Sequence, residues 1–190
     1  MMQLSILPLF GFLSGVIAHG LVQSPATRSP GDATAAACGK TMVNFYKADN
    51  TSYPEALLRA NPEGYQFGDN KAGVQSYTPG QEVDYKVWIR IPHAGYANVS
   101  VVDTTSNSVI GSPLLVWPSY ATSSNPPKNQ TDFKVKIPDN LGGKCSQAGV
   151  CVLQWYWFGQ GQTYESCTDF VVPEVTVPAE CPMRRREWRA

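Results

Sequence analysis

The run "DYKVWIRI", residues 84–91, alternates Tyr85, Val87 and Ile89 with Lys86, Trp88 and Arg90. A period of two sends successive side chains to opposite faces of an extended chain, so this segment reads as a strand with one face in a core. "TDFKVKIP" repeats the pattern, setting Phe133, Val135 and Ile137 against Lys134 and Lys136. "ANVSVVD", "SVIGSPLLVW", "GVCVLQWYWF" and "TYESCTDFVV" bring the strand segments to at least six, separated by turn-rich loops. Helical periodicity is poor, because 16 Gly and 15 Pro punctuate short segments; the one helix candidate is "YPEALLRA", residues 53–60, with Pro54 in its first turn. Such a chain is expected to be all-β: an antiparallel immunoglobulin- or fibronectin III-like β-sandwich with long loops.

The N-terminus sets what part of the chain folds. Residues 4–18, "LSILPLFGFLSGVIA", are apolar but too short and too broken by proline and glycine to span a bilayer comfortably, and they end in compact residues at Ala18. This predicts a signal peptide, residues 1–18, cut after Ala18 so that His19 becomes the mature N-terminus. The sequons at Asn50, Asn98 and Asn129 agree with a secreted, extracellular glycoprotein. In that compartment the five cysteines (Cys38, Cys145, Cys151, Cys167, Cys181) read as oxidised pairs with one left over. About 170 residues remain, enough for one domain with its own core over residues 19–171. Residues 172–190 read differently: prolines and Arg184, Arg185, Arg186 and Arg189 make an irregular basic tail. Fifteen acidic residues balance fifteen basic ones, which argues against nucleic acid or an anionic membrane as partner, and no membrane span is expected beyond the leader; the chain is read as a monomer.

The chemistry concentrates on a scarce residue. Only His19 and His93 are histidines, and an N-terminal histidine offers an α-amine and an imidazole from one residue. Both nitrogens can chelate one metal ion, and a second imidazole would complete a three-nitrogen, T-shaped set. His93, in "RIPHAGYANVS", is the one candidate for it. An all-nitrogen tetragonal set with an open position favours copper(II). Gln162 and Tyr164 are two apart in "GQGQTYESC", so on a strand they share a face. Tyr164 could stand as a weak axial group, and Gln162 could hydrogen-bond an oxygen species at the open position. Singly, His93 is more often a surface loop residue and Tyr164 more often core; the combination is what makes the metal reading specific.

"HGLVQSPATRSPGDA", "GYQFGDNKAGVQSYTPGQEV", "IPHAGYANVSVVD", "LGGKCSQAGVCVLQWYWF" and "QTYESCTDF" together resemble fungal lytic polysaccharide monooxygenases. The chain is most similar to auxiliary activity family 16, related to the chitin-binding type 4 group, over residues 19–171. The resemblance implies a copper histidine brace from His19 and His93, with Tyr164 axial and Gln162 in the second sphere. It implies oxidative cleavage of a β-1,4-glucan, cellulose, at C1, using dioxygen or hydrogen peroxide and an external reductant. It also suggests the disulfides Cys145–Cys151 and Cys38–Cys167, and a flat substrate face for which Tyr96 is the first candidate. Two departures stand out: the segment ahead of Glu63 is shortened, and the chain ends in the basic tail instead of a linker. The other readings are a non-catalytic copper-binding or transport protein with the same brace, and a carbohydrate-binding module relying on aromatic residues.

Overall fold

The alternation in "DYKVWIRI" is obeyed: Val83, Tyr85 and Val87 are buried while the residues between them face outward. The computed structural model describes residues 19–52, 66–141 and 143–173. The expected signal peptide, the helix expected at residues 53–60, and Cys181 with residues 174–190 of the basic tail lie outside the described residues. The strands are β1 (His19–Ser24), β2 (Gln75–Ser76), β3 (Glu82–Ile91), β4 (Gly95–Asp103), β5 (Ser108–Val109), β6 (Leu115–Tyr120), β7 (Asp132–Lys136), β8 (Cys151–Gly159) and β9 (Gln162–Val171). Every strand segment read from the alternation is present, but "SVIGSPLLVW" breaks into β5 and β6 around Gly111, whose φ of 74° favours glycine.

Two sheets face each other, as a β-sandwich requires. One has the order β1-β3-β7; the other runs β2-β9-β8-β4-β5, with β6 also paired to β4. Pairing is antiparallel except between β2 and β9, a short parallel addition to the expected antiparallel pattern. Between the sheets lies an aromatic-rich core, with Tyr85, Tyr120, Trp155, Trp157, Tyr164 and Phe170 almost fully buried. β8 and β9 join through Gln160 and Gly161, at φ of 49° and 81°. Two successive positive φ values are what a two-residue hairpin needs to match strand twist. The turn sets the register that places Gln162 opposite Gly159 and Tyr164 opposite Trp157.

The segment after β1 departs from the expectation of an irregular loop. It forms α1 (Asp32–Cys38) and α2 (Lys40–Ala48), and a third short helix, α3 (Lys128–Thr131), leads into β7. α1 starts without a local side-chain cap. Its cap comes from Asp69, whose Oδ2 accepts from Gly31 N (2.8 Å), Thr34 N (2.8 Å) and Thr34 Oγ1 (2.7 Å) and whose Oδ1 accepts from Ala33 N (2.8 Å). α2 turns Val43 and Tyr46 inward, three residues apart on one helical face. The preceding loop is tied to β9 by Arg28, whose Nε and Nη2 donate to the buried Asp169 carboxylate at 2.8 and 2.6 Å. Asn70 Nδ2 donates to the same carboxylate at 2.7 Å.

Of the two suggested disulfides, Cys145–Cys151 is formed, with Cα atoms 5.3 Å apart. The bridge Cys38–Cys167 is not formed in this structure and corrects that expectation. Cys167 is a thiol on β9 and Cys38 ends α1. Burial, and after it the Glu165 carboxylate, push the Cys167 thiol up to about 12, so it stays protonated and unreactive as a nucleophile.

Candidate metal centre

His19 is the first residue of β1 and pairs with Ile91, the last residue of β3. His93 follows Ile91 by two residues, in the loop that enters β4. β4 starts at Gly95, which pairs with Gly159 at the end of β8, and Gly159 in turn faces Gln162 at the start of β9. Strand register therefore carries His19, His93 and Gln162 to one end of the sandwich. Tyr164 lies one alternation further in and is fully buried, while His93 is 5% exposed. The surface-loop alternative for His93 is thus set aside by its burial. The ring of Tyr164 is core, and its hydroxyl donates to Gln162 Oε1 at 2.6 Å.

The residue that spaces these groups was not singled out from the sequence. Trp157 packs against Tyr164 in a tilted arrangement, with ring centroids 4.5 Å apart and planes at 31°. A Cβ placed on Gly20, next to His19, would lie 3.1 Å from Trp157 Cζ3. A Cβ on Gly159 would lie 3.1 Å from Trp157 Nε1, 2.8 Å from the His93 carbonyl oxygen and 3.1 Å from His93 Cβ. Both glycines allow close approach: Gly20 lets the first strand lie against Trp157, and Gly159 lies between Trp157 and His93 with no room for a side chain. The "WYW" alternation within β8 marked Trp157 as inward-facing, but nothing local marked it as part of this end of the molecule.

Asp49, also missed, holds the outer side of His19. Its Oδ2 is 3.1 Å from His19 Nε2 and accepts from Arg90 Nη1 at 2.8 Å. Its Oδ1 accepts from Thr51 N at 3.0 Å and Thr51 Oγ1 at 2.5 Å. Partial burial works against the carboxylate, yet the Thr51 and Arg90 hydrogen bonds and the His19 ring outweigh it and hold Asp49 below the ordinary carboxylate range. Beside this group opens a groove of about 560 Å³, whose walls include Tyr46, Lys47, Asn50, Arg90 and the exposed ring of Trp88.

The remaining sequence candidates are scattered. Tyr96 is 45% exposed on the outer face of β4, its ring tilted against Tyr156 and Phe158 at 6.1 and 5.5 Å. Asn50 and Asn129 are exposed, whereas Asn98 is half-buried and its Oδ1 accepts from the Ser100 hydroxyl of its own sequon at 3.0 Å.

Among the described residues no three His, Cys, Asp or Glu side chains gather as a metal cluster. The α-amine of a chain starting at His19 would add a third nitrogen to the two imidazoles. Two imidazoles and an amine form a nitrogen set suited to copper, and Gly159 leaves clear the space that a Cβ would take against His93, so the residues fit the group.

Fold and site together define a β-sandwich protein with a two-histidine end face built on its first strand. The family model described as lytic polysaccharide mono-oxygenase, cellulose-degrading, matches residues 19–170, beginning on His19. The chain belongs to this family, whose members are copper-dependent polysaccharide monooxygenases. Among solved structures it is similar to an AA10 lytic polysaccharide monooxygenase from Streptomyces lividans, at 15% identity and a TM-score of 0.50, over 80% of this chain and 99% of that one. It is also similar to an AA15 enzyme from Thermobia domestica in the Cu(I) state, at 20% identity and a TM-score of 0.44, covering 82% and 99% of the two chains. At such identities the likeness concerns the fold. The curated proteins gave no match.

Proposed function

We propose that this protein is a secreted, copper-dependent monooxygenase of the auxiliary activity family 16 type that cleaves cellulose oxidatively at C1. One observation carries the reading: strand register gathers both histidines, Gln162 and Tyr164 at one end of the sandwich, where the family match begins. His19, through its α-amine and ring, and His93, through its ring, would hold the metal. Bound copper supplies one-electron chemistry that, with a reductant and dioxygen or hydrogen peroxide, oxidises a glycosidic carbon. The protein's part is to hold the site rigid and dry on its inner side. Trp157 and Tyr164, both fully buried and in ring contact, pack the inner side.

Tyr164 would stand beside the metal as a weak further group, and its hydroxyl is held by Gln162, so the pair acts as one unit. That bond uses Gln162 Oε1 as acceptor, so the side-chain NH2 is the group that would donate a hydrogen bond to the oxidant during the reaction. Trp88, on the outer face of β3 beside the groove next to Asp49, is a second exposed aromatic able to lie against a sugar ring, on the other sheet from Tyr96. The transport alternative calls for an extra carboxylate ligand, and Asp49, the carboxylate beside His19, is instead engaged by Nε2, Thr51 and Arg90.

The test uses protein secreted with His19 as its first residue, incubated with cellulose, copper and ascorbate. Aldonic-acid-ended oligosaccharides that vanish on adding a chelator are expected. Tight 1:1 copper binding without any such product would favour the transport reading; no copper binding at all would favour a binding module.

A further inference from the structure

A histidine that chelates through its own α-amine has only one usable ring nitrogen. The amine, Cα, Cβ, Cγ and Nδ1 close a six-membered ring with the metal, whereas Nε2 lies on the far side of the imidazole and cannot reach the same ion. A neutral imidazole carries one lone pair, and the hydrogen bond made by one nitrogen decides whether the other has it. In this chain the deciding contact is His19 Nε2 to Asp49 Oδ2 at 3.1 Å. An ionised carboxylate only accepts, so Nε2 must bear a hydrogen, and in the neutral ring that metal binding requires this leaves the lone pair on Nδ1.

Asp49 is itself held from several sides. Thr51 donates to Oδ1 through its amide and hydroxyl, and Arg90 donates to Oδ2 at 2.8 Å while also reaching Thr51 Oγ1 at 3.2 Å. Gly20 N donates to Thr51 O at 2.9 Å, which docks this turn on the first strand one residue from His19. A carboxylate so constrained cannot swing round the ring to the Nδ1 side and become a ligand.

We propose that Asp49 is a positioning residue for the metal site: it fixes His19 in the Nε2–H tautomer, aims Nδ1 at the metal position and raises that nitrogen's basicity. The proposal rests on the brace reading above. Outer carboxylates of this kind tune metal affinity by about 10–100-fold.

The test measures Cu(II) dissociation constants and Cu(II) EPR spectra for processed protein, Asp49→Ala and Asp49→Asn, with melting temperatures as the check on folding. Asp49→Asn keeps the size and an acceptor oxygen, so it remains informative if Asp49→Ala folds poorly. Asp49→Ala is expected to bind copper about 10–100-fold more weakly with an altered spectrum, and Asp49→Asn to recover much of the loss. Unchanged affinity and spectra in both variants, with lowered melting temperatures, would reduce Asp49 to a structural tether and overturn the proposal. Loss of a directly bound oxygen from the spectrum of Asp49→Ala would make it a ligand, which also overturns it. Absence of tight copper binding by the unsubstituted protein sinks the brace reading itself, and that result is separate from either variant's behaviour.

Discussion

Trp157 and Tyr164 are cross-strand partners on β8 and β9, and their rings pack in a tilted arrangement with centroids 4.5 Å apart. The indole also covers Gly20 and sits beside Gly159, so one side chain sets the distances between the first strand, the His93 loop and the buried tyrosine. Trp157→Ala should therefore cost about 3–5 kcal/mol of stability, as measured by urea denaturation of metal-free protein. A loss under about 1 kcal/mol would mean that the pocket collapses easily and that Trp157 is not the spacer.

Gly159→Ala tests the cradle with one added methyl group. The new Cβ would press on the His93 carbonyl and Cβ and on Trp157 Nε1. About 1–3 kcal/mol of destabilisation is expected from overpacking, together with weaker Cu(II) binding as His93 shifts. Calorimetric copper titration alongside thermal melts checks both, and normal affinity would show that His93 moves without consequence.

The Tyr164–Gln162 bond allows the two roles to be separated. Tyr164→Phe removes the donor and should lower stability by about 1 kcal/mol while leaving copper bound with a changed EPR spectrum. Gln162→Ala should leave copper affinity alone and lower the rate of oxidised-product release by roughly tenfold or more. Equal effects of both substitutions on copper affinity would contradict this division.

Trp88 is exposed on β3 beside the groove next to Asp49. Trp88→Ala should weaken retention on cellulose by about 1 kcal/mol, roughly fivefold, without altering copper binding. Tyr96→Ala in the same pull-down assigns the share of the second exposed aromatic, and no change in either would move the substrate face elsewhere.

Asp69 links acid stability to the first helix. Burial opposes its charge, but the donors from Thr34, Ala33 and Gly31 overcome this and bring the carboxyl down to about 2, from 3.8. The folded pKa is depressed, so the stabilisation is fully present above about pH 4 and is lost as pH falls from there through about 2. Melting temperatures between pH 5 and 2 should fall less steeply for Asp69→Asn than for the unsubstituted protein, with a lower value at the start. Parallel curves would exclude Asp69 as a source of acid sensitivity.

The strands were legible because a period of two is local: each of "DYKVWIRI" and "TDFKVKIP" declares its buried face within a few residues. The same periodicity placed Gln162 and Tyr164 on one face, and their hydrogen bond follows from it. α1 and α2 were not legible. The donors at the start of α1 are met by Asp69, far along the chain, and no window around residues 31–34 contains that carboxylate. That Cys38 and Cys167 are not bridged in this structure is of the same kind, since whether two cysteines meet depends on how a capped helix and a strand are docked.

By itself, the sequence determined a β-sandwich and singled out two scarce histidines, because periodicity and composition are read over short spans. Tertiary structure alone decided what surrounds those histidines: Asp49 against Nε2, Trp157 beneath Gly20 and Gly159, and Thr51 docked on the first strand. These contacts join elements distant in sequence, and they exist only once sheet register and loop docking have brought the elements together.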